Sequence, residues 1–146
     1  MEIVSDRTYT FDHPRDRVWG TIGALDAYPT RWPWLRDFRA TSLEAGSQWT
    51  CAIQPPLPYT LRIRVAITDL DPGRLIGATV HGDLRGAATV HLLGDDDRCE
   101  VRVVSRLAPS SRVMGVAARL VAPIARWGHD WVLDTGARQF AAELDA

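Results

Sequence analysis

The sequence lacks several features that would assign it to familiar classes of protein. None of its 17 basic residues is a lysine, only 2 of 146 residues are cysteine, and no stretch approaches the roughly 18 consecutive apolar residues of a membrane-spanning helix. The net charge of −1 leaves no positive surplus to attract nucleic acid. The first residues show no basic start followed by an apolar stretch, so no export signal is predicted. We expect a cytoplasmic protein with no membrane span and no nucleic-acid partner.

Residues that hold metals and cofactors are also sparse. The two cysteines lack the spacing of metal ligands and cannot form a disulfide framework, and the four histidines are scattered: Cys51, Cys99, His13, His81, His91 and His129. No phosphate-binding glycine loop, dinucleotide fingerprint or Gly-x-Ser-x-Gly element is present. The sequence therefore predicts neither a metal nor a cofactor.

Large aromatic residues are abundant by contrast. Six tryptophans occur among 146 residues, and 46% of the chain is hydrophobic. Large aromatic side chains are costly to expose, so they line a core, a cavity or an interface. The length suits one domain, covering residues 1–146, with one hydrophobic core.

Alternation of apolar and polar residues predicts an antiparallel sheet of about seven strands. The predicted strands cover 3–11, 38–44, 48–54, 59–70, 75–81, 82–93 and 98–107. The cleanest alternation, in 59–70, gives one apolar face and one polar face, as in a sheet that is covered on one side.

Helical patterns flank these strands. Two short helices are predicted at 14–25, with Asp12 as its cap, and within 26–35. A long helix should run from Ser110 or Ser111 to about Leu144, kinked at Pro123. It carries two apolar stripes, and the pattern leaves open which one faces the sheet: Val113, Val116, Ala117, Leu120, Ile124, Trp127 and Trp131 form the first, and Ala122, Ala125, His129, Val132, Leu133, Gly136 and Phe140 form the second. The order of elements predicts an α+β fold, with a curved sheet and helices on one side.

Four segments carry a resemblance to a known superfamily. They are 12–19 (DHPRDRVW), 28–35 (YPTRWPWL), 82–86 (GDLRG) and 127–132 (WGHDWV), where Gly128 replaces the asparagine of a related Trp-Asn-His-Asp segment. In order and spacing the chain resembles the START/Bet v 1-like (SRPBCC) superfamily, which includes polyketide cyclases and lipid-transport proteins. The resemblance implies a helix-grip fold with a cavity between the sheet and the C-terminal helix. It transfers the fold better than an activity, because one fold hosts many functions.

Alternation then predicts which side chains line that cavity: Trp49, Cys51, Ile53, Leu61, Ile63, Val65, Ile67, Leu84, Ala88, Val90, Val101 and Val103. Gly86 and Ala88 are small at inward positions, so they leave volume unfilled or relieve a bend. Trp34 and Phe38 either form the mouth of the cavity or hold a short helix in place by packing beneath it. Trp127 is expected to form part of an aromatic wall.

His129 is the one candidate for acid/base chemistry, because burial moves a histidine pKa easily across neutrality. The alternative is a core histidine satisfied by a neighbouring group. Adjacent helical residues point about 100° apart, so Asp130 is not expected to orient the His129 ring.

Three functions follow as hypotheses. The first is binding or transport of an apolar or amphipathic small molecule, with His129 orienting it. The second is a polyketide aromatase/cyclase that uses His129, with the Cys51 thiol a distant second; the apolar lining weighs against an enzyme. The third is an adaptor that acts through the convex face, with its arginines, or through the tryptophan-rich turn. A monomer and a homodimer both fit the sequence.

Overall fold

A computed structural model describes residues 2–109 and 122–146. Seven strands form one antiparallel sheet in the order β1-β7-β6-β5-β4-β3-β2. The strands are β1 (Ile3–Phe11), β2 (Leu35–Arg39), β3 (Gln48–Ile53), β4 (Leu61–Asp71), β5 (Leu75–Gly82), β6 (Leu84–Gly94) and β7 (Cys99–Pro109). The helices are α1 (Arg15–Gly23), α2 (Tyr28–Arg31), which follows a 3-10 turn at Leu25–Ala27, and α3 (Ala122–Asp145). The α+β helix-grip prediction is confirmed.

The sequence placed the second strand incorrectly. It predicted 38–44, whereas β2 covers Leu35–Arg39. Asp37 adopts a positive φ of 51°, and the pairing with β3 shifts register between Arg36 and Arg39. Such an irregularity breaks strict alternation, so the pattern could not locate this strand.

The predicted cap of the first helix is also wrong. Pro14 occupies the N-cap position, no described side chain caps the helix, and the amides of Arg17 and Val18 both donate to the Pro14 carbonyl. The helix thus begins too late for Asp12 to reach its first amides.

The second apolar stripe of α3 faces the sheet. Val132, Leu133 and Phe140 contact the space above the strands. Ile124 and Trp127, from the first stripe, are 48% and 50% exposed. The predicted caps Ser110 and Ser111, the first-stripe residues 113–120 and the turn preceding Pro123 lie outside the described residues.

Two clusters of buried side chains form the core. One joins α1, β1, β6, β7 and α3 through Phe11, Val18, Leu92, Cys99, Val101, Phe140 and Leu144. The other joins α2 to β2, β3, β4 and β5 through Tyr28, Leu35, Cys51, Ile63 and Val80.

Gly86 marks a close approach of β6 to β7. Its φ is +154°, and a Cβ there would lie 1.8 Å from the Arg106 carbonyl oxygen. This contact gives the glycine a role that differs from the two predicted ones, unfilled volume and relief of a bend: a side chain here would collide with the backbone of β7. No described helix is both long and apolar enough to cross a membrane.

Candidate ligand-binding cavity

A cavity of about 370 Å³ lies between the inner face of the sheet and α3. That volume is near the lower end of the roughly 300–1,000 Å³ range of small-molecule sites. Its lining comprises Tyr9, Phe11, Ile22, Tyr28, Trp32, Trp34, Trp49, Val65, Ile67, Ile76, Ala78, Val80, Ala88, Val90, Val101, Val103, Val132, Leu133, Gly136, Ala137 and Phe140. None of these described lining residues is charged.

Small residues at the centre of the sheet create the space. Ala78 on β5 lies opposite Ala88 on β6, and both face the cavity. Val90 and Val103 are likewise opposite each other on β6 and β7. On α3, Gly136 and Ala137 leave room between the larger Leu133 and Phe140. Short side chains on both sides therefore leave space between the helix and the sheet.

Aromatic side chains wall the cavity on the side of α2. The Tyr28 and Trp32 rings meet edge to face at 4.7 Å, and the rings of Trp32 and Trp34 lie 5.7 Å apart. Trp49 meets Tyr28 edge to face at 6.1 Å. Phe38 stacks on Tyr28 at 5.1 Å and is not part of the cavity lining, so it supports this wall from behind.

The polar atoms of these rings are bonded to protein acceptors. The indole N–H of Trp32 donates to the Gly136 carbonyl at 3.0 Å. That of Trp34 donates to the Gln139 side-chain oxygen at 2.9 Å, and that of Trp49 donates to the Ser42 carbonyl at 2.8 Å. The hydroxyl of Tyr28 donates to the Ile22 carbonyl, and that of Tyr9 donates to Asp134 Oδ1 at 2.8 Å. Burial raises the pKa of both tyrosines, so both remain neutral phenols.

An ion pair between a buried arginine and an exposed glutamate supports the aromatic wall. Arg31 Nε and Nη2 donate to the Glu143 carboxylate at 2.7 and 3.0 Å, while the guanidinium lies 5.1–5.4 Å from the ring centroids of Tyr28, Trp32 and Phe140. The hydrogen bonds from Arg31 hold the Glu143 pKa below its usual value. The pair joins α2 to the end of α3. Sequence analysis missed it, although an arginine inside a run of aromatic residues was a visible signal.

A second polar group joins α3 to the edge of the sheet. Arg7 bonds to Asp134 Oδ1 at 2.8 Å and to Asp130 Oδ2 at 3.1 Å. Contrary to the prediction, Asp130 Oδ1 lies 3.2 Å from His129 Nδ1, because the aspartate side chain turns back toward the ring. His129 Nε2 lies 3.5 Å from the Ser105 hydroxyl.

The Ser105, His129 and Asp130 side chains are thus arranged in the order of a hydrolytic triad. Ser105 is only 6% exposed and belongs to the middle of a paired strand, which leaves no approach for a substrate carbonyl. Desolvation is the main reason why the His129 pKa is lowered, and Asp130 opposes that shift. We interpret the group as a contact that holds α3 on the sheet.

The predicted site residues fall into three groups. Trp34, Trp49, Val65 and Val90 line the cavity, as do Ile67, Ala88, Val101 and Val103. Others pack beside it in the second core cluster without lining it: Phe38, Cys51, Ile53, Ile63 and Leu84. Leu61, Trp127 and His129 are outside the lining. Burial raises the pKa of the Cys51 thiol to about 11, which makes it a poor nucleophile.

The expectation that Trp127 is a cavity wall is wrong. It lies on the outward stripe of α3, half exposed, because the helix turns its other apolar stripe toward the sheet. The lining residues that the site prediction omitted come from α3, from β1 and β5, and from α1 and the aromatic segment around α2. For all lining residues, ligand binding itself stays a prediction.

Three arginines of the convex face lie close to carboxylates. Arg62, Arg102 and Arg106 approach Asp37, Asp6 and Glu2 at 3.4, 2.5 and 3.6 Å respectively. Neighbouring carboxylates offset much of their charge, which weakens the hypothesis that this surface recognises an anionic partner. Among the described residues, no group of three or more potential ligand side chains could hold a metal ion.

Solved structures show the same architecture at low sequence identity. The Zhui aromatase/cyclase from Streptomyces sp. R1128 superposes with a TM-score of 0.71 at 15% identity, covering 99% of this chain and 94% of that one. A START superfamily protein from Mycobacterium smegmatis gives 0.74 at 13% identity, covering 97% of both chains. Norcoclaurine synthase from Thalictrum flavum, in complex with dopamine and hydroxybenzaldehyde, gives 0.64 at 12%, covering 98% and 88%.

No protein-family model and no curated protein sequence matches this chain. The structural likeness establishes that the chain has the START/Bet v 1-like helix-grip fold. At these identities it does not carry over a substrate or a reaction.

Proposed function

We propose that the protein binds an apolar small molecule in the cavity between its sheet and α3. The observation that carries the proposal is a volume of about 370 Å³ lined by uncharged, almost entirely apolar side chains. Transfer of apolar surface from water into such a site is favourable by about 25 cal/mol for each Å² that is buried.

The lining also favours an apolar occupant over ordered water. A buried water needs about two to four hydrogen-bonding partners, and the side chains of the described lining are almost entirely apolar. An apolar molecule that enters this space therefore displaces water that is poorly held.

The geometry favours binding over the cyclase hypothesis. Ring closure of a polyketone needs groups that can give or take protons at the substrate. His129, the candidate for that role, is outside the lining and contacts Ser105 and Asp130 instead. The buried Cys51 is held as a thiol. An aromatase/cyclase is among the structural neighbours, but the described lining of this cavity has no histidine, cysteine or charged side chain, and its two tyrosine hydroxyls already donate to Asp134 and Ile22.

Native mass spectrometry of the purified protein, followed by mass analysis after denaturing release, tests the proposal. We expect an apolar molecule at near one-to-one stoichiometry, or uptake of an added apolar probe by a protein isolated empty. The A88L variant reduces the cavity and should lose the bound mass. The A87L variant makes the same change at the adjacent exposed position and should keep it. A protein that retains nothing and takes up no apolar probe would contradict the proposal.

A further inference from the structure

We infer that the portion of the ligand inside the cavity is a hydrocarbon without hydrogen-bonding groups, rather than the polar end of an amphipathic molecule. The inference rests on the proposed function and names the chemical class of the ligand. It follows from where the polar atoms of the lining residues are directed.

Five lining side chains have a polar atom, and each of these atoms is bonded to the protein. The indole N–H groups of Trp32, Trp34 and Trp49 and the hydroxyls of Tyr9 and Tyr28 all donate to carbonyl, amide or carboxylate oxygens of the chain. Aromatic residues with polar atoms are common in binding sites because they can hydrogen-bond a ligand. Here every donor of these side chains is already used, so a ligand carbonyl finds no partner among them, and the rings present their apolar faces.

The backbone around the cavity is similarly occupied. The lining residues of β5, β6 and β7 belong to continuous ladders, in which paired strands satisfy the amides and carbonyls. On α3, the carbonyl of Gly136 accepts the Trp32 indole. The described wall therefore leaves a ligand no main-chain partner on these strands.

Two buried polar atoms have no partner among the described residues, and both are sealed off. They are Arg31 Nη1 and Ser5 Oγ. The Arg31 side chain is 1% exposed behind the rings of Tyr28, Trp32 and Phe140, and Ser5 is 3% exposed. Neither residue belongs to the lining, so a ligand in the cavity reaches neither atom.

A ligand carbonyl that enters this space gives up its hydrogen bonds to water without replacement. Such an uncompensated loss weakens binding about ten- to a hundredfold for a neutral group, and much more for a carboxylate. A site built for an amphipathic molecule would bind the carbonyl probe more tightly than the apolar one, because a well-placed donor would hydrogen-bond to the carbonyl. The relative affinity of isosteric probes distinguishes these two kinds of site.

Three probes of nearly equal size supply the test: 2-ethylnaphthalene, 2-acetylnaphthalene and 2-naphthoate. Equilibrium dialysis against the purified protein should give a dissociation constant for the ethyl compound at least tenfold lower than for the acetyl compound. Naphthoate should show no saturable binding. Acetyl binding equal to or tighter than ethyl binding, or saturable binding of naphthoate that A88L abolishes, would overturn the inference while leaving the proposed function in place. Absence of binding by all three would overturn the proposed function itself.

A variant that adds one hydroxyl to the wall provides a second measurement. V103T is nearly isosteric and places an unpartnered donor in the lining. The preference for the ethyl probe, measured as the ratio of the two dissociation constants, should therefore fall by at least threefold. V104T makes the same change at the neighbouring position, which is outside the lining, and should leave the ratio unchanged. An unchanged ratio in V103T, in protein that remains folded, would contradict the inference, because a missing donor in the wall would then not be what disfavours the carbonyl.

Discussion

Replacement of Ala88 by leucine tests whether the cavity is real, because a cavity and a packed core predict changes of opposite sign in the free energy of unfolding. Ala88 faces the cavity opposite Ala78 on the neighbouring strand. Leucine adds three methylene-sized groups, worth about 0.8 kcal/mol each when buried, and loses about 0.5–1 kcal/mol of side-chain entropy. The free energy of unfolding should therefore rise by about 1.5 kcal/mol. In a solidly packed core the same change would cost about 1–3 kcal/mol.

Equilibrium denaturation in urea measures this difference, and thermal unfolding should show a Tm higher by about 4 °C. Ligand must first be removed, because a bound molecule stabilises only the wild type. A87L is the matched control: its side chain is exposed, so the change should stay within about 0.5 kcal/mol. If A88L is destabilised by about 1 kcal/mol or more while A87L is neutral, the space is already filled and the reasoning is refuted.

Three further predictions concern the framework of the cavity. G86A should lose at least about 3 kcal/mol of stability in chemical denaturation, because its Cβ would lie 1.8 Å from a backbone oxygen. G20A is the control: a Cβ there has nothing within 4 Å, so the variant should gain about 0.5 kcal/mol. Equal effects of the two substitutions would contradict the strain at Gly86. E143A should cost about 2 kcal/mol, since it leaves the buried Arg31 cation without its carboxylate; a neutral result would show that this pair does not hold the wall. Burial lowers the His129 pKa from 6.5, so the stability that it contributes is present above that pH and is lost as the pH falls through the folded-state pKa. H129Q should then lose less stability than wild type between pH 7 and pH 5 in urea titrations, and identical profiles would contradict the prediction.

Most of the sheet could be predicted from the sequence because its strands obey a simple rule. Inward and outward positions alternate along β4, β6 and β7, so alternation alone identifies the cavity-facing positions Val65, Val90 and Val103. The rule failed at β2, where a positive φ at Asp37 and a register shift interrupt the alternation. Local backbone irregularities of this kind leave little trace in hydrophobic patterning.

The contribution of the helix could not be predicted in the same way. The two apolar stripes allow two orientations of the helix. Which one forms depends on the shape of the sheet surface that it packs against, and the helix sequence alone does not specify that shape. Trp127 was accordingly expected inside and lies half exposed, whereas Leu133 and Phe140 line the cavity. Asp130 shows a further limit: backbone geometry separates it from His129, yet its side chain is flexible enough to reach the ring.

A crystal structure of the protein with 2-ethylnaphthalene shows whether a hydrocarbon occupies the cavity. We expect electron density for the naphthalene between the sheet and α3, in van der Waals contact with Val90, Val103 and Leu133. An unoccupied interior, or a naphthalene seated on the exposed face of Trp127, would contradict this expectation.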